Sequence, residues 1–243
     1  MEADNNEDQT NKYVAFCDVL GFSANIERDF ESTLQLYREF ADFVDPVLER
    51  DGVQISVYSD SILITGENLS IVAQTAQIMS FIALQHNMLI RGGISYGRHW
   101  EKKSGRHLFM VSDALVRSVR LEASIKIPAI VLGEEISIPD DLWLSRYAHG
   151  QFATPILHFD GKNIVNPFSM MWGRSAGMRA SMLMEESAPE HREKYEWFLS
   201  LHTAVFNNDP LIPEHILKKY LELGVLKFTP ADAQPNNQDD GAQ

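Results

Sequence analysis

The spacing of apolar positions along this chain alternates between strand-like and helix-like periods. Tyr13-Val14-Ala15-Phe16-Cys17 is a short apolar run, rich in aromatic and β-branched residues and stopping near Gly21, which predicts a buried strand. Leu34, Tyr37, Phe40, Ala41, Val44, Val47 and Leu48 then recur every three or four residues, predicting an amphipathic helix closed by Asp51-Gly52. Val53 to Tyr58 alternates apolar with polar and Ile62 to Thr65 follows a polar break, so the pair predicts a β-hairpin with Asp60 near its turn. A second helix is expected from about Asn68 to His86, then a strand over Met88 to Gly97 whose paired glycines allow close backbone approach. Ser112-Asp113 caps a helix bearing Leu115, Val116, Val119 and Leu121, and strand character resumes from Pro128 to Leu132. Further on, Ile156 to Val165 reads as a hairpin around Asp160-Gly161, followed by helices near 189–207 and 213–223. The order predicts an α+β, ferredoxin-like domain, an antiparallel-rich sheet with helices on one face plus a C-terminal helical extension.

The expected organisation is an acidic disordered tail over 1–11, a principal domain over 12–185, a helical extension over 186–228 and a disordered tail over 229–243. With 21 basic against 34 acidic residues and a formal charge of −13, an extended nucleic-acid surface is excluded. A small anionic ligand then requires cations to bring it in. Cys17 is the only cysteine, which rules out an intrachain disulfide and gives no support to a cysteine-based zinc site. The chain shows no signal-like apolar region and no stretch near the ~20 apolar residues of a membrane span, so the expected location is the cytoplasm.

Two carboxylates change the picture. Asp18 ends the first strand, where an unpaired buried charge would cost several kcal/mol, about the cost of losing a buried ion-pair partner, so it needs a cation or good hydrogen bonds. The Gly21 turn presents successive N–H groups from Leu20 to Ser23 as a cradle for phosphate oxygens. Taken singly, Asp18 could cap the next turn and Asp60 could be a hairpin-turn residue. If the hairpin pairs beside the first strand, both carboxylates reach one end of the sheet, where Mg²⁺ or Mn²⁺ could bridge them to a triphosphate.

Phe16-Cys17-Asp18-Val19-Leu20-Gly21-Phe22-Ser23 resembles the first metal-binding motif of class III nucleotidyl cyclases, and Tyr58-Ser59-Asp60-Ser61 is similar to the second. Arg91 to Gly97 resembles the glycine-containing strand that follows, and Ser112 to Glu122 the helix with the transition-state arginine. The resemblance covers about Tyr13 to Leu132. It implies two metal ions held by Asp18 and Asp60, substrate contacts from Val19, Leu20, Gly21, Phe22 and Ser23, and Arg120 steadying the α-phosphate, with Arg117 a rival one turn earlier. Lys162 loosely matches a late phosphate-contacting lysine and otherwise reads as a solvated turn residue. The implied reaction is attack of the ribose 3′-hydroxyl on the α-phosphorus with loss of pyrophosphate, in a head-to-tail homodimer whose partner supplies the arginine.

Ser56, Phe109 and Val116 stand where purine cyclases carry base-reading or ribose-orienting residues, and they depart from that pattern. The wording around Asp60 and Arg91 looks most like the bacterial pyrimidine cyclases of antiphage signalling, which make cyclic UMP or cyclic CMP for a separate effector; UTP is preferred to CTP. The alternatives are an adenylate or guanylate cyclase with an atypical base pocket, and a non-catalytic nucleotide sensor. A GGDEF-like cyclase is set aside because Gly92-Gly93 leads to Ile94. The methionines at 170, 171, 178, 182 and 184 read as packing residues.

Overall fold

The computed structural model describes residues 10–105, 107–149, 154–168, 172–207 and 209–224. Most of both expected tails lies outside these residues, as do Met170 and Met171. The strands are β1 (Thr10–Val19), β2 (Val53–Tyr58), β3 (Ser61–Gly66), β4 (Ile90–Ser104), β5 (His107–Ser112), β6 (Ile130–Leu132), β7 (Ile156–Phe159) and β8 (Lys162–Val165). Among the described residues these eight form one sheet, seven in the order β2-β3-β1-β4-β6-β8-β7 and β5 paired with the outer part of β4. Among the described residues only β4 and β6 pair parallel; the other pairings are antiparallel. The α+β class with an antiparallel-rich sheet is therefore observed.

The helices of the first unit are α1 (Phe22–Arg28), α2 (Phe30–Leu48), α3 (Leu69–Gln85), α4 (Asp113–Ser124), α5 (Asp140–His149), α6 (Gly173–Glu186) and α7 (Arg192–Phe206). Asn68 caps α3 by accepting from the Ser70 and Ile71 N–H groups, and Ser112 caps α4 by accepting from Leu115. Opposed residues of paired strands share a face, so Ala15, Cys17, Ile62 and Ile64 point together. α3 covers that face, where a Cβ on Gly66 would sit 2.9 Å from Val72. α4 adds a layer on the other face. A Cβ on Gly93 would lie 2.8 Å from both the Leu121 Cβ and the Ser118 carbonyl oxygen.

That close approach is why the strand carries glycine at 93. Gly93→Ala is expected to push α4 outward and to destabilise the protein by about 1–3 kcal/mol, the range for overpacking; denaturant melts compare it with wild type.

Behind β6 and β8, Leu157, Ile164 and Phe168 form one hydrophobic cluster with Ala176 and Ala180 of α6 and with Phe198, Leu201 and Val205 of α7. α6 buries Gly173, Ala176, Gly177 and Ala180, while Met178 and Met182 are 66% and 47% exposed. The expectation that these two methionines pack inside is thus corrected: small residues let α6 lie close against α7, and the long side chains point outward. The β7–β8 turn has Asp160 and Gly161 both at positive φ, the two-residue geometry an Asp-Gly pair predicts. The chain divides after Leu211 into a second unit, whose described part contains α8 (Glu214–Glu222).

Candidate active site

β1 and the β2–β3 hairpin bring the two aspartates to the same end of the sheet. Asp18 lies opposite Ser61 on one side and Arg91 on the other, and Ser61 lies opposite Tyr58, so these four form a row across one face. Asp60 occupies the turn just beyond that row. The turn has only two residues between the paired Tyr58 and Ser61, and Ser59 has φ 54, in the left-handed region that costs a non-glycine residue about 1–2 kcal/mol. It is pinned to β1, because the Val19 N–H donates to the Asp60 carbonyl at 2.9 Å. The carboxylates interact: burial, and then the charges of Asp60 and Glu122, push the Asp18 carboxyl above its ordinary range against the opposing pull of Arg91. Burial and the Asp60 charge likewise push up the Tyr37 phenol on α2.

Arg91 and Glu122 were given no role by the sequence, yet they complete this cluster. Arg91 donates from Nε to Glu122 Oε1 at 2.7 Å and from Nη1 to the Ile125 carbonyl at 3.2 Å. Its Nη2 is 2.5 Å from the same Glu122 oxygen and 3.5 Å from Asp18 Oδ2. The available signal was that Arg91 falls opposite Asp18 if β4 pairs with β1, and reading it required knowing the register.

α4 runs beside this cluster with its two flanks differently equipped. Glu122 and Arg120 are two residues apart, about 200° around a helix, so Glu122 faces Arg91 while Arg120 points away. Arg120 is exposed, with no hydrogen bond or ion pair to the described residues. Arg117, the rival, is already engaged: it donates to the Tyr96 carbonyl at 2.6 Å and to Asp113 at 3.2 Å, and lies 3.7 Å from Glu135. Among the described residues, the cation of α4 left without a partner is Arg120.

The remaining expected site residues are dispersed. Ser56 lies on the Asp18 face, in the next row with Leu63, Phe16 and Gly93. Phe109 stands on β5, 55% exposed, and Val116 on the outer side of α4, 49% exposed. Lys162 is at the β7–β8 turn, reaching the Asp160 carbonyl at 3.4 Å, beside a groove of about 450 Å³ lined also by Lys126, Leu121 and Glu134. The expected N–H cradle is shorter than the sequence suggested. Val19 donates to Asp60 and Leu20 donates to the Leu89 carbonyl at 2.8 Å, which leaves the Gly21, Phe22 and Ser23 N–H groups at the start of α1. Gly21 has φ 79, which suits glycine at this bend. The side chains of Val19 and Phe22 are apolar and buried, so only their backbones could meet a ligand.

Among the described residues no set of three or more His, Cys, Asp or Glu is arranged to hold a metal ion. The hard carboxylate pair Asp18 and Asp60 nevertheless fits Mg²⁺ or Mn²⁺, which take one or two carboxylates and complete their shell with water and substrate phosphates. No described helix is long and apolar enough to cross a membrane.

No family model and no curated protein matches the chain. Among solved structures it is similar to the guanylyl cyclase Cya2, at 14% identity over 65% of this chain and 92% of that one, with a TM-score of 0.44. It is similar to the guanylyl cyclase domain of the RhoGC fusion protein from Blastocladiella emersonii, at 17% identity over 65% and 97%, TM-score 0.45. A third is the adenylyl cyclase CyaB from P. aeruginosa, at 14% identity over 65% and 95%, TM-score 0.46. At these identities the likeness is one of fold.

Proposed function

We propose that this protein is a pyrimidine nucleotide cyclase that converts UTP, or less readily CTP, into the 3′,5′-cyclic mononucleotide and pyrophosphate. The observation that carries the reading is the placement of Asp18 and Asp60 at one end of the sheet, fixed by the Val19–Asp60 backbone bond. These carboxylates would hold Mn²⁺ or Mg²⁺, which when bound supplies Lewis-acid activation of the ribose 3′-hydroxyl and charge neutralisation of the triphosphate. The O3′–Pα bond forms, the bond from Pα to the β-phosphate oxygen breaks, pyrophosphate departs and the hydroxyl proton passes to solvent. The Gly21, Phe22 and Ser23 N–H groups orient phosphate oxygens, and Arg120 places its charge on the α-phosphate as it develops negative charge. Lys162 is a further phosphate contact.

Because Arg120 points away from the aspartates of its own chain, the site is completed by a second copy, in a head-to-tail homodimer. Leu108, Phe109 and Val111 of β5 and Val116 and Val119 of α4 are exposed apolar residues on the arm and helix that such a partner would cover. In that assembly Phe109 and Val116 of one chain would join Ser56 of the other around a small base. The cyclic nucleotide then acts through a separate effector in antiphage signalling, in the cytoplasm.

Purified protein incubated with Mn²⁺ and each of the four nucleoside triphosphates is expected to release pyrophosphate and cyclic UMP most rapidly. Cyclic AMP or cyclic GMP as the main product would make it a purine cyclase with an unusual pocket. Nucleotide binding without pyrophosphate release would make it a sensor.

A further inference from the structure

Arg91 is placed to compete with any cation for Asp18, and Glu122 is placed to prevent it. Arg91 and Asp18 stand directly opposite on neighbouring strands and on one face, where Cβ atoms lie about 4.5–5.5 Å apart. An untethered guanidinium at that spacing would close on the Asp18 carboxylate as a forked ion pair and occupy the oxygens that a cation needs. The observed side chain is drawn the other way. Two of its nitrogens converge on Glu122 Oε1, at 2.7 and 2.5 Å, a third is held by the Ile125 carbonyl, and the contact to Asp18 is the longest, at 3.5 Å. The Glu122 side chain is only 10% exposed, so water competes little for it and the tether is firm.

We infer that Glu122 is a positioning residue that holds Arg91 off the Asp18 carboxylate and thereby sets the affinity of the site for a divalent cation. The inference rests on the reading of Asp18 as a metal ligand. It makes α4 a two-sided element, with Glu122 keeping the site of its own chain open and Arg120 serving the site of the partner.

The test is Mn²⁺ binding without nucleotide, followed by the electron paramagnetic resonance signal of free Mn²⁺, with melting curves confirming that each variant is folded. Glu122→Gln is expected to weaken Mn²⁺ binding about tenfold, equivalent to about 1.4 kcal/mol. Glu122→Asp keeps the charge but is too short to reach both nitrogens, and is expected to weaken binding as well. The double variant Arg91→Gln with Glu122→Gln removes tether and competitor together, and is expected to bind Mn²⁺ at least as tightly as wild type. Replacing both partners leaves neither Arg91 nor Glu122 without the other, so this variant stays informative if Glu122→Gln alone fails to fold. Wild-type affinity in Glu122→Asp would overturn the inference and leave only a charge effect, and weak binding in the double variant would overturn it too. If Asp18→Asn does not change Mn²⁺ binding at all, the metal-ligand reading itself fails and takes this inference with it.

Discussion

Asp18→Asn is expected to abolish nucleotide turnover while leaving the metal-free protein at least as stable as wild type. Lewis-acid and charge stabilisation at such a site contributes several kcal/mol to the transition state, so losing one of two carboxylate ligands should lower kcat/KM about a thousandfold or more. Stability moves the other way because the folded environment disfavours the ionised carboxylate: burial, Asp60 and Glu122 raise its pKa, and Arg91 offsets only part of this. A carboxyl whose folded pKa lies above its unfolded value is harder to ionise in the fold, so ionised Asp18 costs stability at neutral pH. That cost is relieved as pH falls through the raised pKa. The variant, which carries no charge there, should melt at or above the wild-type temperature at neutral pH, and the difference should shrink in mild acid. Acid should also weaken Mn²⁺ binding to the wild type, because a proton and the cation compete for the same carboxylate. A variant that loses activity because it unfolds would show Asp18 to be a structural cap instead.

The second large effect is complementation between inactive chains. Arg120→Ala is expected to lose turnover about a hundredfold to a thousandfold, as for removal of one transition-state charge partner, with its melting curve unchanged because Arg120 is exposed and makes no hydrogen bond or ion pair to the described residues. Mixed with Asp18→Asn, it should regain activity. In a two-fold dimer the mixed pair has one site carrying both defects and one carrying neither, so random exchange at equal amounts restores about a quarter of wild-type turnover. Turnover at the level of the separate variants would place Arg120 and Asp18 in the same chain's site, against the opposite flanks they face on either side of α4.

Much of the sheet was legible because its central strands are buried and their periods are distinct. The hairpin around Asp60 and the Asp160-Gly161 turn followed from turn chemistry, and α4 from its Ser112 cap. β5 was not legible: Leu108, Phe109 and Val111 are exposed apolar residues with no alternation, which no core-facing period explains. α6 escaped for the opposite reason, since its buried face is made of glycine and alanine and carries little hydrophobic signal. Within the site, Asp18 and Asp60 could be singled out because acidic residues at strand ends are conspicuous. Arg91 and Glu122 could not, because their partnership depends on strand register and on the seating of α4 over Gly93, both long-range facts. The Leu20 N–H was read as part of the phosphate cradle, and only the tertiary structure shows that the Leu89 carbonyl already takes it.

β4 runs from Ile90 to Ser104 without a break, carrying Arg91 at one end and the arm paired with β5 at the other. Since side chains along a strand alternate faces, inserting or deleting one residue anywhere between Arg91 and the last β1 partner, His99, would turn half of that strand over. Either Arg91 would leave the Asp18 face or the arm would present its inner side to the partner. Around Gly105, at the tip between β4 and β5, a change of length alters neither. Descendants of this sequence are therefore free to lengthen or shorten the arm at its tip, while the stretch from Arg91 to His99 must keep its residue count.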